Sequence, residues 1–142
     1  VDDWQYMSSF EYFDRANEKG YDKFTQIAAN LAMVAKLPKD LRDDLTVIFL
    51  THSEDSTDIN GNRKVKAKTI GKMIDNTLTL EGLFSIVLFG KVNKDDDGEL
   101  EYGFETQNNG ENTCKSPMGM FEDKFIPNDL AYVKECMQKY EE

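Results

Sequence analysis

The chain has 142 residues, enough for one domain with its own core, and 39% hydrophobic against 31% charged residues places it among folded proteins. A formal net charge of −10 excludes a surface that is basic throughout, as a nucleic-acid-coating protein requires, but leaves room for a local basic loop. One histidine and two cysteines without CxxC spacing exclude an ordinary zinc site and point to free thiols in a reducing cytoplasm.

In chain order, the first segment is VDDWQYM: one apolar residue, two adjacent carboxylates, then Trp4, Gln5 and Tyr6. An apolar strand ending in an acidic pair is how many nucleotide-hydrolysing folds present a carboxylate to a metal ion. Residues 8–36 predict helix broken near Gly20, with Ile27, Leu31 and Val34 or Ala35 recurring at helical spacing. Lys36, Pro38 and the acidic residues at 40–44 end that helix. LTVIFLTH, residues 45–52, is apolar almost throughout and predicts a strand buried on both faces, with Thr51 and His52 at its polar carboxyl end. In open α/β sheets ligands sit at that end.

Residues 53–68 are polar and bear Asn and Gly, so they predict a surface loop. A helix is expected within 69–82 around Ile70, Met73 and Ile74, and a second apolar strand at 83–92. NKDDDG then turns the chain into ELEYGFETQ, a hairpin with Asp97-Gly98 at its turn. The Asn- and Gly-rich loop 107–119 leads to a last helix, NDLAYVKECMQKY, capped by Asn128 with Leu130, Val133 and Met137 inward. Helix, turn and apolar strand in succession predict an α/β fold, with parallel core strands and a C-terminal hairpin flanked by helices. No apolar run reaches the length of a membrane span, and nothing resembles a signal peptide, so the expected location is the cytoplasm.

Three groups of residues carry candidate chemistry. Asp2 and Asp3 fit a magnesium shell and a water-orienting acid, although Asp-Asp pairs are common and on these residues alone solvated surface is the better reading. His52, at a strand end, can sense a phosphate or polarise water, or serve as a hydrogen-bonded structural histidine. Arg63, Lys64, Lys66, Lys68 and Lys72 place five of the 17 basic residues in one short stretch, suited to a phosphate backbone or simply to solvent. NKDDDGELEYGF is not a calcium loop, because Phe104 stands where a bidentate Glu is needed. No GxxxxGK[ST] occurs: the Gly-Lys pairs at 71–72 and 90–91 are followed by Met73 and Val92. The chain therefore lacks the loop whose backbone amides cradle a triphosphate.

VDDWQY, VIFLTHSED, KVKAKTIGKMID and TQNNGENTCKSPMGMF together resemble the C-terminal half of a family of phage-encoded RecA-like P-loop ATPases. The resemblance runs over nearly the whole chain, and that family is associated with single-strand DNA annealing and recombination. It implies a partial RecA-like sheet over 1–142, entered within the Walker B strand. Asp2 then matches the magnesium-associated carboxylate and Asp3 a catalytic, water-orienting partner. His52 occupies the sensor position, and Arg63, Lys64, Lys66 and Lys68 fall in the loop that contacts single-stranded DNA. Lys115, in KSPMGMF, matches a segment from which related hexamers reach a neighbour's nucleotide. The resemblance further implies ATP and magnesium in the intact parent, with neither held tightly by this half alone. A sheet missing its P-loop strand exposes apolar surface, so a homo-oligomer or a covering partner is expected. Two rival readings are a non-catalytic acidic phage module that occupies a host factor, and a structural α/β domain whose nucleotide site has decayed.

Overall fold

A computed structural model describes residues 1–69 and 79–142. The chain is mixed α/β and divides into two compact units, Val1–Asp55 with Lys66–Leu83, and Ser56–Val65 with Phe84–Glu142.

In the first unit, helix α1 (Gln5–Asp14) and helix α2 (Asp22–Lys36) pack against one another, and the break between them contains Gly20. The helical spacing is confirmed in α2, where Ile27, Ala28, Leu31 and Ala35 are buried and Val34 is only partly covered. Tyr12 of α1 packs on Ile27 and Ala28, while the Glu11 carboxylate accepts two hydrogen bonds from Asn30 at 2.9 and 3.0 Å. Helix α1 begins at Gln5, earlier than the expected start at 8, and its polarity is unusual. Gln5 and Ser8 are buried, whereas Tyr6, Met7, Phe10 and Phe13 are exposed. A 3₁₀ turn containing Pro38 (Leu37–Asp40) follows α2, because proline cannot continue the helical ladder.

Residues 45–52 depart from expectation. They belong to no strand, and Leu45, Ile48 and Leu50 are exposed while Val47 and Phe49 are half-buried. Only alternate side chains are covered, so the expected burial on both faces is corrected to cover on one. The segment nevertheless pairs with the N-terminus. The Val1 backbone nitrogen donates to the Ile48 carbonyl at 2.7 Å, and the Leu50 N–H donates back to the Val1 carbonyl at 2.9 Å. Bonds reaching to either side of Phe49 from one residue form a single rung of parallel pairing. No sheet of parallel strands occurs among the described residues.

The expected loop at 53–68 is instead a two-stranded sheet of β1 (Ser53–Thr57) and β2 (Arg63–Ala67). Its turn is organised by Asp58, whose carboxylate accepts from the amides of Asn60 and Asn62 at 2.8 and 2.9 Å. The helix expected around Ile70, Met73 and Ile74, and with it Lys72, lies outside the described residues. A 3₁₀ turn (Leu80–Leu83) follows, with Leu80 buried.

The second unit is built on a three-stranded antiparallel sheet of β3 (Phe89–Lys94), β4 (Leu100–Glu105) and β5 (Phe125–Pro127), in the order β3-β4-β5. The expected hairpin is present, although its first strand starts at 89 rather than 83. Gly98, at φ +85°, makes the turn in a conformation that costs other residues strain. Gly103 is needed for space rather than for conformation, since a Cβ there would lie 2.3 Å from Phe125 Cζ. The ring of β5 thus packs directly on the Gly103 backbone. Thr106, fully buried, follows β4 and donates its hydroxyl to the Asp123 carbonyl at 3.0 Å. Helix α3 (Leu130–Glu141) is capped by Asp129, whose side chain accepts from Ala131 and Tyr132, rather than by the neighbouring Asn128. Of its expected inward residues Val133 is buried and Met137 half-buried, while Leu130 is exposed.

Candidate functional site

The site grows from the pairing of the N-terminus with residues 48–52. Trp4 is buried to 2% exposure, donates its backbone N–H to the Leu50 carbonyl at 3.1 Å, and sets its ring edge-on to Phe49 at 5.0 Å. That anchor fixes the residues on either side of it. Asp3, just before, has φ +48°, the one non-glycine residue with positive φ among those described. Aspartate tolerates this region better than most residues, because its short side chain bonds locally. The turn lets the Tyr6 amide donate to the Asp3 carbonyl at 2.9 Å and directs the carboxylate toward the end of the 45–52 segment.

There the carboxylate meets His52. Nε2 of the imidazole lies 3.0 Å from Asp3 Oδ1, and both side chains are about half exposed. With the proton on Nε2, the imidazole donates to the carboxylate and Nδ1 remains as an acceptor. The ring of Tyr6 stands edge-on to the imidazole at 6.2 Å. A carboxylate that orients an imidazole is an arrangement suited to accepting a proton or positioning a water.

Gln5 joins the two sides. Its Nε2 donates to Asp3 Oδ1 at 3.4 Å, and its Oε1 accepts from Thr51 Oγ1 at 2.9 Å and from the His52 amide at 3.4 Å. Gln5 is buried, and its carbonyl accepts the Ser8 hydroxyl at 2.7 Å. Neither Gln5 nor Thr51 stands among the candidates read from the sequence. The only signal for Gln5 was its place beside the acidic pair.

The remaining candidates are distributed as follows. Asp2 is exposed and outside the hydrogen-bonded cluster. Lys68, in the same unit as His52, donates its amide to the His52 carbonyl at 2.8 Å. Lys66 pairs with Glu54 at 3.2 Å. Arg63 and Lys64 belong to the second unit, where the Lys64 ammonium donates to the Gly110 carbonyl. Lys115 also belongs there, and its backbone bridges Val87 through reciprocal bonds of 2.8 and 3.0 Å.

Among the described residues no group of three or more His, Cys, Asp or Glu side chains is placed to hold a metal ion. One or two carboxylates without a cage do suit magnesium, which usually keeps several waters and is held largely by substrate phosphates. No helix among the described residues is long and apolar enough to cross a membrane. Comparison with family models, curated proteins and solved structures finds no match to this chain.

Proposed function

We propose that the chain supplies the Walker B and sensor side of a RecA-like ATP-binding site, in a phage protein that acts in single-stranded DNA recombination or annealing. The observation that carries this reading is the Asp3–His52 contact at 3.0 Å. The two elements that the family resemblance assigns to one nucleotide pocket are widely separated in sequence and meet here. The parallel rung at Val1 and Phe49 supports the same reading, since neighbouring Walker B and sensor strands run parallel in such a sheet. The family resemblance supplies the remaining assignments.

In this reading Asp2 holds the magnesium shell, and magnesium neutralises phosphate charge when bound. Asp3 and His52 hold and orient a water facing the terminal phosphate, and Lys115 acts on a neighbouring subunit's nucleotide. This chain lacks the P-loop that cradles a triphosphate, so alone it binds nucleotide weakly and turns over little. Arg63, Lys64, Lys66 and Lys68 contact the phosphate backbone of single-stranded DNA.

The test is ATP turnover, with and without single-stranded DNA, by this chain joined to a P-loop-bearing N-terminal half. Turnover that DNA stimulates and that Asp2→Ala abolishes supports the reading; turnover unchanged by Asp2→Ala removes the Walker B assignment. DNA binding is expected to weaken with salt and with Lys64→Glu and Lys66→Glu.

A second reading, a non-catalytic acidic module that binds a host protein, is favoured by a separate observation. Tyr6, Phe10 and Phe13 stand exposed at helical spacing on α1, with Tyr6 and Phe10 stacked at 6.0 Å. Tight capture of one host protein with no DNA binding would select this reading over the first.

A further inference from the structure

We propose that Gln5 is a positioning residue whose carboxamide sets the geometry of the Asp3–His52 pair. Three features lead to this assignment. Gln5 is almost fully enclosed, at 4% exposure, while the two groups it joins are half exposed. Its amide is polarised in the one sense that serves both sides: the NH₂ faces a carboxylate, and the carbonyl faces two donors, Thr51 Oγ1 and the His52 N–H. Turned over, the amide would set oxygen against carboxylate and NH₂ against the His52 N–H, losing both of those bonds, and only the Thr51 hydroxyl, which can also accept, would keep a partner. Third, the bonds reach both ends of the pair at once, since Gln5 contacts the Asp3 side chain and the His52 backbone, each at 3.4 Å.

Gln5 is itself fixed from behind. It opens helix α1, its carbonyl accepts the Ser8 and Ser9 hydroxyls at 2.7 and 3.4 Å, and the preceding Trp4 is the anchor of the segment. A glutamine turned inward at the first residue of the helix holds the half-exposed pair to a buried support. Nothing in the carboxylate–imidazole pair alone would do this, because exposed pairs of that kind contribute little to their own ordering.

The consequence for hydrolysis rests on the nucleotide-site reading above, whereas the positioning is measurable without nucleotide. His52 is the only histidine of the chain, so its imidazole gives a single set of long-range ¹H–¹⁵N correlations. Asp3→Asn provides the signals of a broken pair. Gln5→Met, which keeps the buried volume but none of the hydrogen bonds, is expected to move the imidazole signals toward those of Asp3→Asn. Gln5→Glu keeps the acceptor for Thr51 and His52 but sets like charge against Asp3, and is expected to move them as well. Imidazole signals of Gln5→Met that coincide with wild type, under native fluorescence of the single Trp4, overturn the proposal.

Should Gln5→Met fail to fold, Thr51→Val decides, since Thr51 is exposed and its hydroxyl makes the shortest bond to the carboxamide. Displaced His52 signals in Thr51→Val support the assignment, and unchanged signals overturn it. In the P-loop-bearing protein, Gln5→Met is expected to lower kcat about 10-fold with KM unchanged, the scale on which orienting partners of reactive groups act. Displaced imidazole signals in Gln5→Met, beside a wild-type protein that shows no ATP turnover, would refute the nucleotide reading and leave the positioning role standing.

Discussion

The Asp3 carboxylate and the His52 imidazole meet at 3.0 Å across a turn in which Asp3 takes φ +48°. The contact and the backbone conformation have different energetic weights, and substitution separates them. Because both side chains are half exposed, water screens the pair, and its loss costs stability little. Asp3→Asn keeps a residue that tolerates the left-handed region, so the unfolding free energy in urea is expected to change by less than about 1 kcal/mol. Asp3→Val forces a β-branched residue into the same backbone and is expected to cost about 1–2 kcal/mol more than the asparagine variant. Equal stability of the two variants would show that the N-terminal turn is not held in this conformation.

Trp4 should be the residue on which the site depends for its stability. Its side chain is 2% exposed, its ring meets Phe49 edge-on, and its amide is bonded to Leu50. Trp4→Ala is expected to destabilise the chain by about 3–5 kcal/mol, the range for removing a buried indole. The same variant is expected to release His52, bringing its imidazole signals to their Asp3→Asn positions. A loss under about 1 kcal/mol would mean that residues 1–4 do not dock on 48–52 in solution.

How much of this was legible in the sequence depends on whether the signal was local. The Asp97-Gly98 turn was readable because a glycine between two β-rich runs carries its own conformational reason, and the hairpin is there. The α2 face was readable because Ile27, Leu31 and Ala35 repeat with the helical period. The β1–β2 hairpin was not, because SEDST and RKVKA are polar on both faces, and only Val65 among them is buried. Residues 45–52 were misread in burial because an apolar run shows affinity for cover, whereas cover itself comes from elements distant in the chain. Leu83 and Phe84 were absorbed into a strand since a short apolar run does not distinguish strand from turn. Asp3 and His52 could be singled out separately by residue type, and the family resemblance gave them one site. Gln5 could not, for a glutamine on a helix reads as surface until its neighbours are known.

Two glycines of the second unit test the sheet that holds β5 in place. At Gly103 a Cβ would fall 2.3 Å from Phe125 Cζ and 2.6 Å from the Ile126 carbonyl oxygen, and the latter belongs to backbone that cannot step aside. Gly103→Ala is therefore expected to separate β4 from β5, with a loss above about 2 kcal/mol and faster hydrogen exchange at the Thr106 amide. At Gly98 a Cβ meets nothing within 4 Å, and only the φ of +85° opposes it. Gly98→Ala is expected to cost about 1 kcal/mol and leave Thr106 protected. The reverse ranking in thermal unfolding would contradict the packing of Phe125 on β4.

Cys114 gives the second unit a dependence on alkaline pH. Burial, reinforced by the negative charge of Glu105, pushes its thiol well above its ordinary value, up to about 12. In the unfolded chain the thiol ionises near ~8.5. The folded state thus keeps a proton that the unfolded state loses, so stability falls with rising pH. The contribution is complete below about 8.5 and declines as pH climbs toward about 12. Cys114→Ala removes this group's share, so the urea midpoint of the variant is expected to fall less than that of wild type between neutral pH and pH ~10. The same shift suppresses the thiolate, which is the reactive form. A brief alkylation at about pH 8, read by mass spectrometry, is expected to label the partly exposed Cys136 and spare the buried Cys114. Equal labelling of both would show that the loop carrying Cys114 opens faster than the reagent acts.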